Sequence, residues 1–267
     1  MSKKDSSVLK LKNLSSSNKI SLIYSNFRTQ LNTLIKKKTF LVAVSGGADS
    51  LALSALSYTY NKENKNKVFY VLIDHGIRPN SSEEAIAVKN LLKKKGISLT
   101  ILKNKKKINK NIQSHARTIR YELLLNHCKK HKIKFIMTGH HRDDQIETFL
   151  IRLSRGSGIQ GLSSMSKISK LNNKIKLFRP LLDEKKKDLI FLAKNYYGKI
   201  FKDSSNTNQK YLRTKIRILI KQFEKNGIKR DSIINSINNL AATRDTLNSY
   251  IQKIEKNCLT KKKILFQ

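Results

Sequence analysis

The sequence predicts an α/β protein with an open, mostly parallel sheet that has helices on both faces, followed by a small helical C-terminal unit. Short apolar runs of strand length alternate with amphipathic segments of helix length along most of the chain. Two of these runs, residues 40–44 and 68–73, are apolar throughout, which is typical of strands buried on both faces. Strands that alternate with helices pair in parallel, because each helix carries the chain back to the starting end of the sheet.

Hydrophobic periodicity and turn residues place the remaining elements. Further strands are predicted at residues 98–102, 135–138 and 175–182. Helices are predicted at residues 20–35, 50–60, 82–95, 111–131, 142–154 and 184–197, with another that ends near 223. The glycine-rich stretch at residues 155–165 is predicted to be an irregular loop.

The C-terminal unit is predicted from an apolar stripe with helical spacing. Its members are Ile233, Ile237, Leu240, Leu247, Ile251 and Ile254. We expect this stripe to pack within the protein, with the charged face of the helix in solvent. The predicted organisation is a polar extension over residues 1–19, a main domain over 20–209 and the helical unit over 210–267.

The chain of 267 residues carries a net charge of +38, an excess that attracts polyanions such as nucleic acid. Drift in an AT-rich genome, which also enriches Asn and Ile, is the alternative origin of the lysines.

Cys128 and Cys258 form no CxxC pair, so neither a disulfide framework nor a cysteine metal site is expected. The sequence shows no signal peptide, no membrane-spanning run and no long basic amphipathic helix. A cytoplasmic protein that does not bind membranes is therefore expected.

The stretch SGGADS, between the first predicted strand and the next helix, is a candidate phosphate-binding loop. Two adjacent glycines let backbone N–H groups approach an anion, and the positive end of the following helix favours negative charge there. The loop lacks the lysine of a Walker motif and the third glycine of a dinucleotide fingerprint. An ordinary strand-to-helix turn is the alternative. The candidate phosphate-binding residues are Ser45, Gly46, Gly47, Ala48, Asp49 and Ser50.

Polar residues also follow the second and fourth predicted strands, in the sequences DHGIR and GHHRDD. Ligands of open parallel sheets bind beyond the carboxyl ends of the strands. The three strand ends are therefore expected to converge on one site. His140 and His141 immediately precede a predicted helix, and one of them is a candidate for proton transfer near neutral pH.

Carboxylates occupy the first two turns of the helix that follows these histidines. Asp144 and Glu147 lie three residues apart on one face, and Asp143 and Glu147 are neighbours at a spacing of four. Such carboxylates hold either a magnesium ion that bridges phosphate oxygens or a cationic group of a substrate. Capping of the helix is the alternative, above all for Asp143.

Arginines recur at helical spacing in two segments. Arg117 and Arg120 share a helix face with Tyr121, and Arg213 and Arg217 repeat the pattern nearer the C-terminus. Guanidinium groups suit phosphate oxygens and the charge that develops during phosphoryl transfer. A solvated basic face is the alternative, which is weaker for Arg120 than for Arg117.

A series of motifs follows in one order over residues 40–218: SGGADS, DHGIR, ARTIRYELL, TGHHRDDQIETFLIRLSRGSGIQGL, RPLL and DSSNTNQKYLRTKIR. In this order they resemble the bacterial tRNA(Ile)-lysidine synthases, which belong to the ATP pyrophosphatase, or PP-loop, superfamily. The specific part of the resemblance is the block from GHHRDDQIET to RGSGIQGL. The phosphate-binding loop by itself is shared with many ATP pyrophosphatases.

The resemblance implies a fold similar to the adenine-nucleotide alpha-hydrolases and a ligase that uses ATP and free lysine. In this family, a ring carbonyl of the cytidine at the first anticodon position of tRNA(Ile) with a CAU anticodon is adenylated. The lysine amine then displaces AMP, and pyrophosphate is the other product of ATP. The resulting lysidine pairs with A instead of G.

The resemblance also implies roles for residues that match the family motifs. Residues 45–50 hold the ATP phosphates. Asp49 and Glu147 bind the lysine, and Mg²⁺ accompanies ATP with Asp49 and Asp143 as candidate ligands. The residues at the chemistry are His140, Asp144, Arg120 and Arg213.

The chain departs from the family pattern at Thr214, where the family usually has asparagine, and the contact of that asparagine is not carried over. The chain also lacks the further C-terminal domains of longer members and is expected to be a short form, so its means of rejecting methionine tRNA are not predicted.

A tRNA thiolase on the same fold is one alternative, disfavoured because the chain has no CxxC pair. A non-catalytic RNA-binding relative is another, disfavoured because the acidic and glycine residues are present. The oligomeric state is not predicted.

Overall fold

The computed structural model describes residues 18–36, 38–77, 79–104, 112–201 and 212–265. Its strands are β1 (Phe40–Val44), β2 (Val68–Asp74), β3 (Leu99–Lys103), β4 (Phe135–Met137), β5 (Ile168–Lys170) and β6 (Lys176–Phe178). Its helices are α1 (Asn18–Leu34), α2 (Ala48–Asn64), α3 (Ser81–Lys93), α4 (Ile112–Lys130), α5 (Arg142–Leu153), α6 (Ile159–Leu162), α7 (Lys186–Tyr197), α8 (Leu212–Lys225) and α9 (Arg230–Leu265). Most of the predicted N-terminal extension and the sequence DSSNTNQKY lie outside the described residues.

The described strands form one six-stranded sheet in the order β3-β2-β1-β4-β6-β5. Neighbouring strands are parallel, except that β5 is antiparallel to β6. The order runs outward from β1 to β3 and then continues on the other side of β1 with β4. This reversal makes a topological switch point between β1 and β4, where ligands of open α/β sheets bind. The predicted fold class is confirmed.

The sheet is buried on both faces, as the apolar runs predict. In β1, Phe40 and Val42 join the apolar cluster on one face, whereas Leu41 joins the cluster on the other. Helix α2 belongs to the first cluster and is buried throughout residues 50–60. Leu124 of α4 belongs to the second. The loop between β1 and α2 is therefore held by two elements in the centre of the protein's main core.

The strand predicted at residues 175–182 is wrong beyond its first half, because β6 ends at Phe178. Pro180 follows, and proline has no N–H to continue a strand ladder. Leu181 and Leu182 are buried in the turn that comes next, which gave this stretch a strand-like apolar pattern. The following helix, predicted from residue 184, accordingly begins at Lys186.

Two short elements were not predicted. Strand β5 forms a hairpin with β6, and the connection is closed by Asn172, whose Oδ1 accepts the N–H groups of Lys174 at 2.9 Å and Ile175 at 2.8 Å. Helix α6 lies within the stretch predicted to be an irregular loop. Both elements are too short to show a periodicity in the sequence.

The chain divides into two compact units. The first comprises residues 1–142 and 167–204 and contains the sheet, and the second comprises residues 143–166 and 205–267. The domain boundary predicted near residue 19 lies beside a stretch that is not described, and the one near residue 209 lies inside such a stretch. Both boundaries stay a prediction. No helix in the described part of the chain is long and apolar enough to cross a membrane.

The second unit has a small apolar core between α5 and α8. Its buried residues are Ile146, Leu150, Ile216 and Ile220. Ile233 and Ile234 of α9 pack against this cluster. Helix packing therefore joins the two segments of chain that form this unit.

The apolar stripe of α9 is only partly packed. Ile237 is 1% exposed, whereas Leu247, Ile251 and Ile254 are 45%, 50% and 44% exposed. The prediction that the stripe packs is wrong for these three residues. Helical spacing defines a face, but burial also needs an element that reaches it, and this 36-residue helix extends beyond the small core of its unit.

Candidate functional site

The SGGADS loop connects β1 to α2 at the switch point of the sheet. Gly46 has a φ of +83°, a left-handed conformation that glycine adopts without strain. A Cβ on Gly46 would lie 2.6 Å from Cγ2 of Val88, so no side chain fits there. The N–H of Phe201 donates to the Gly46 carbonyl at 3.2 Å and fixes the back of the loop.

Ser45 and Ser50 close the loop through their side chains. The Ser50 hydroxyl oxygen accepts the Ser45 N–H at 3.1 Å and the Ser45 hydroxyl at 3.2 Å. The same hydroxyl donates to the Gly47 carbonyl at 3.0 Å. Ser50 is buried, whereas Ser45 is exposed. Ser50 therefore maintains the shape of the loop, and Ser45 is the serine that a ligand reaches from solvent.

The N-terminus of α2 supplies donors for an anion. Its first backbone hydrogen bond runs from the N–H of Leu51 to the Gly47 carbonyl at 3.0 Å. The N–H groups of Ala48, Asp49 and Ser50 precede that bond and are outside the helical ladder. Together with the helix dipole, they make this end of α2 suited to phosphate.

Asp49 lies in the first turn of α2, and its side chain is 29% exposed. Its Oδ2 lies 3.5 Å from Nε2 of His141, whose side chain is 2% exposed. Its Oδ1 is buried and has no hydrogen-bond partner among the described residues. An unpaired carboxylate oxygen is costly to bury, so this atom is suited to receive a cation or a donor from a ligand.

The turn after β4 packs directly against the first turn of α2. A Cβ on Gly139 would lie 2.8 Å from the Asp49 carbonyl oxygen and 3.1 Å from the Ser50 nitrogen. Two backbones approach this closely only where one residue has no side chain. The motifs that follow β1 and β4 are therefore in contact at the carboxyl edge of the sheet.

His140 is half-buried, and its Nδ1 lies 2.8 Å from Oγ1 of Thr138. In the tautomer whose Nδ1–H donates to Thr138, Nε2 is an acceptor and can serve as a base. In the other tautomer the threonine hydroxyl donates and Nε2 carries the proton. The contact with Thr138 therefore orients the imidazole in both tautomers, and Nε2 can accept a proton in the first.

The carboxylate of Asp74 holds the loop after β2. It accepts the Ser82 hydroxyl at 2.6 Å and the Gly76 N–H at 3.1 Å. Burial raises the pKa of Asp74, but hydrogen bonds from Ser82, Ser81 and Gly76 outweigh burial and leave this pKa below its ordinary value. Asp74 is therefore ionised at neutral pH and fixes the DHGIR segment.

His75 follows Asp74, and both of its ring nitrogens are buried without a hydrogen-bond partner in the described part of the chain. Burial and, less strongly, the positive charge of Arg120 on α4 lower the pKa of His75 to about 4. The imidazole is neutral at pH 7 as a result. Arg120 itself is exposed.

In the second unit, Asp143 is bound by an arginine that the sequence did not single out. Oδ2 of Asp143 lies 2.9 Å from Nη1 of Arg230. The same guanidinium donates to both carboxylate oxygens of Glu224, at 2.7 Å and 3.0 Å. Asp144 is half-buried in the first turn of α5.

Glu147 forms a bidentate ion pair within the second unit. Its side chain is 3% exposed, and it accepts Nε of Arg217 at 2.6 Å and Nη2 at 3.3 Å. Arg213, about one turn earlier on α8, is exposed. The carboxylate predicted to bind lysine is therefore already bound by a guanidinium in this structure.

Magnesium fits one of its two predicted ligands better than the other. Among the described residues, no group of three or more His, Cys, Asp or Glu side chains is arranged to hold a metal ion. Mg²⁺ does not need such a group, because one or two carboxylates suffice when nucleotide phosphates and water complete its coordination. The unpaired Oδ1 of Asp49 suits this role. Asp143 is bound by Arg230, and its role as a ligand stays a prediction.

Several residues that contact the predicted site residues have no role predicted from the sequence. Gly139 and His141 lie against Asp49. Arg217 binds Glu147, and Arg230 binds Asp143. A signal was present for His141 in the His140–His141 doublet and for Arg217 in the repeated arginine spacing. No sequence pattern pointed to Arg230, because its contacts are set by how α9 packs in its unit.

The comparisons with known proteins agree with the motifs. A PP-loop domain model matches residues 18–223. The tRNA(Ile)-lysidine synthase of Wolbachia pipientis wMel is 43% identical over 195 residues, which cover 72% of this chain and 45% of that protein. That of Orientia tsutsugamushi (strain Boryong) is 42% identical over 181 residues, which cover 67% of this chain and 41% of that protein. The chain thus spans less than half the length of these curated relatives.

Among solved structures, the chain is similar to the U34-tRNA thiolase NcsA from Methanococcus maripaludis. The TM-score is 0.69 at 21% identity, over 84% of this chain and 78% of that one. At this identity the similarity shows the fold alone. The resemblance to the lysidine synthases is confirmed by the curated relatives, and the match over most of the described residues shows that the chain belongs to the PP-loop domain family.

Proposed function

We propose that the chain uses ATP to join free lysine to the cytidine at the first anticodon position of tRNA(Ile) with a CAU anticodon, giving lysidine, AMP and pyrophosphate. The observation that carries this proposal is the contact of two motifs, in which Asp49 of the phosphate-binding loop lies against Gly139 and His141. The loop by itself suits any ATP pyrophosphatase. The second motif is the specific part of the similarity to the lysidine synthases.

In the first step, a ring carbonyl oxygen of the cytidine attacks the α-phosphorus of ATP and pyrophosphate leaves. The free N–H groups at the start of α2 and the exposed hydroxyl of Ser45 are suited to hold the phosphates. Arg120 and Arg213 are exposed arginines that we assign to the charge on pyrophosphate and on the adenylate. This charge develops most strongly in the transition state, where fixed cations stabilise it.

In the second step, the lysine Nζ attacks the adenylated carbon and AMP leaves. The ammonium must first lose a proton, because only the neutral amine has an electron pair to donate. We assign Asp49 and Glu147 to binding the ammonium, Asp144 to the reacting centre, and Nε2 of His140 to accepting the proton. Since Arg217 already binds both oxygens of Glu147, lysine must share or replace one of its hydrogen bonds.

Magnesium bound with ATP would neutralise phosphate charge as pyrophosphate leaves. Asp49 is the ligand that we propose, through Oδ1, and Asp143 is the second candidate. Asp49 lies in the first turn of α2, next to the N–H groups to which we assign phosphate binding. We assign the remaining contacts that bind and orient ATP to the SGGADS loop.

The tRNA is proposed to bind through the basic surface. A net charge of +38 favours contacts with many phosphates. Such contacts position a nucleic acid but carry little sequence information. Discrimination between isoleucine and methionine tRNAs must therefore come from contacts with bases.

A sulfur-transfer reaction through a cysteine of this chain is a weaker candidate. Cys128 is buried in the core, and burial raises its pKa to about 12. A thiol in this state is a poor nucleophile, because the thiolate is the reactive form. Cys258 lies far along α9, and the two cysteines form no CxxC pair.

The bond cleaved in ATP tests the proposal. The chain is incubated with ATP labelled in the α-phosphate, lysine and a tRNA(Ile) transcript with a CAU anticodon, and AMP and ADP are separated. The proposal predicts AMP that forms only when both tRNA and lysine are present. A transcript with uridine at the first anticodon position is the matched control. Release of ADP, or equal AMP from both transcripts, would contradict the proposal.

A further inference from the structure

We infer that His141 is a positioning residue for Asp49: it holds Oδ2 of the carboxylate so that Oδ1 is presented to a cation. The cation is either the magnesium ion of ATP or the ammonium group of lysine, since both bind to carboxylate oxygens. Only the identity of this cation rests on the proposed function. The arrangement of His141 and Asp49 does not.

The first observation is that the two oxygens of Asp49 have different surroundings. Oδ2 lies 3.5 Å from Nε2 of His141, and Oδ1 is buried without a hydrogen-bond partner among the described residues. A carboxylate that rotates freely would exchange its two oxygens. An imidazole that donates to Oδ2 would remove that freedom and keep Oδ1 as the unpaired atom.

The second observation is that the backbone around His141 is fixed on both sides. Before it, Thr138 donates its N–H to the Phe178 carbonyl at 3.1 Å, and Gly139 packs on the Asp49 backbone. After it, Arg142 donates its N–H to the Glu184 carbonyl at 3.0 Å. The side chain of His141 is 2% exposed, so surrounding atoms also restrict the ring. An imidazole fixed in this way can orient a carboxylate.

The third observation is that the two adjacent histidines have separate contacts. Nδ1 of His140 lies 2.8 Å from Thr138 Oγ1, whereas Nε2 of His141 faces Asp49. His140 is half-buried and is the residue assigned above to proton transfer. His141 is too buried to reach a tRNA base or a lysine directly. Its effect on a ligand therefore passes through Asp49.

A simpler account is that Asp49 only stabilises the N-terminus of α2, which acidic residues in a first helical turn do in general. His141 would then be an ordinary buried residue. That account predicts that removal of the Nε2 donor changes stability alone. The positioning role predicts a loss of cation affinity without a matching loss of stability, because groups that orient a metal-binding carboxylate contribute about 10- to 100-fold in affinity.

Two substitutions separate these accounts. In His141→Gln the amide nitrogen takes nearly the position of Nε2 and keeps a donor there, whereas His141→Asn places its amide short of that position. Mn²⁺ binding is measured for wild type and both variants by electron paramagnetic resonance, with a non-hydrolysable ATP analogue and without tRNA or lysine. Lysine binding is measured by calorimetry in a second arm. Thermal unfolding is followed for all three proteins.

The inference predicts that His141→Asn weakens binding of the cation about tenfold or more while His141→Gln stays within about twofold of wild type. Loss confined to the Mn²⁺ arm identifies the cation as the metal, and loss confined to the lysine arm identifies it as ammonium. Wild-type affinity in both variants would overturn the inference. Equal losses in both variants, in step with a lowered melting temperature, would overturn it in favour of a structural role. Neither arm uses lysidine formation, so failure of the proposed reaction would be seen separately.

Discussion

Arg217 forms a bidentate ion pair with the buried carboxylate of Glu147, with Nε donating to Oε1 at 2.6 Å and Nη2 donating to Oε2 at 3.3 Å. Glu147 lies on α5 and Arg217 on α8, the two helices that make the apolar core of the second unit. The pair therefore joins the two stretches of chain from which this unit is built. It also sets the state of the carboxylate to which we assign lysine binding.

Removal of Arg217 alone should be strongly destabilising. Arg217→Met leaves the Glu147 carboxylate buried without its cation, and we expect the free energy of unfolding to fall by about 3–5 kcal/mol. Glu147→Leu combined with Arg217→Met removes both charges and should recover most of that loss. Urea unfolding of the wild type, the single variant and the double variant measures the effect. A double variant no more stable than Arg217→Met would show that the pair is not what holds these helices.

The close approach of Gly139 to Asp49 predicts that a single methyl group damages the phosphate-binding loop. In Gly139→Ala, Cβ would meet the Asp49 carbonyl oxygen at 2.8 Å, and the first turn of α2 must shift. We expect the affinity for a non-hydrolysable ATP analogue to fall at least about tenfold, since a shift near 1 Å is enough to misplace binding groups.

Gly158→Ala is the matched control for this substitution, because a Cβ there meets no atom within 4 Å and the φ of −76° suits alanine. This variant should bind the analogue like the wild type. Calorimetric titration of both variants makes the comparison. Wild-type affinity in Gly139→Ala would show that the loop does not depend on this contact.

His75 predicts a specific dependence of stability on pH. Its pKa is about 4 in the folded chain and about 6.5 when unfolded, so between these values only the unfolded chain binds the proton. The stability associated with neutral His75 is therefore complete above about pH 6.5 and is lost as the pH falls toward 4. The slope stays below the limit of about 1.4 kcal/mol per pH unit for one proton, because solvent screens a partly exposed group.

His75→Gln removes this titration. Urea unfolding at pH 7, 6 and 5 should show the wild type losing more stability than the variant over that interval. Parallel curves for the two proteins would mean that His75 is not held neutral by the fold.

The basic surface predicts a steep dependence of tRNA affinity on salt. Each phosphate neutralised by Lys or Arg releases counterions, so the logarithm of the affinity should fall linearly with the logarithm of the salt concentration. A surface of this charge that contacts six or more phosphates should lose about 10³-fold or more between 50 and 200 mM salt. Fluorescence anisotropy with labelled tRNA measures the slope. A flat response would indicate that the lysines reflect composition and do not bind tRNA.

The sequence was most informative where function depends on short stretches of chain. The loop SGGADS follows from an apolar run, two glycines and the start of a helix, all within twelve residues. The parallel sheet with polar residues at the carboxyl ends of its strands follows from the alternation of strands and helices, although the order of the strands does not. Local pattern and chain topology are enough to predict these features.

Contacts between distant stretches were not predictable in the same way. Nothing in the HH doublet tells which imidazole turns toward Asp49, because the packing of Gly139 on the α2 backbone decides it. The spacing of Glu147 likewise does not reveal Arg217 as its partner. Leu247 and Ile251 show the converse limit, since their helical spacing is regular and yet they are exposed.

The most direct test of the account is transfer of lysine to the anticodon. The 267-residue chain is incubated with ATP, Mg²⁺, labelled lysine and a tRNA(Ile) transcript with a CAU anticodon. The tRNA is then digested, and its nucleosides are identified by mass spectrometry. Asp49→Ala and Asp144→Ala serve as controls that should bind tRNA as the wild type does but transfer no lysine. We expect one lysine per tRNA, attached to cytidine, with an equal amount of AMP. Unmodified cytidine in a tRNA that the wild-type chain binds tightly, or undiminished transfer by both variants, would contradict it.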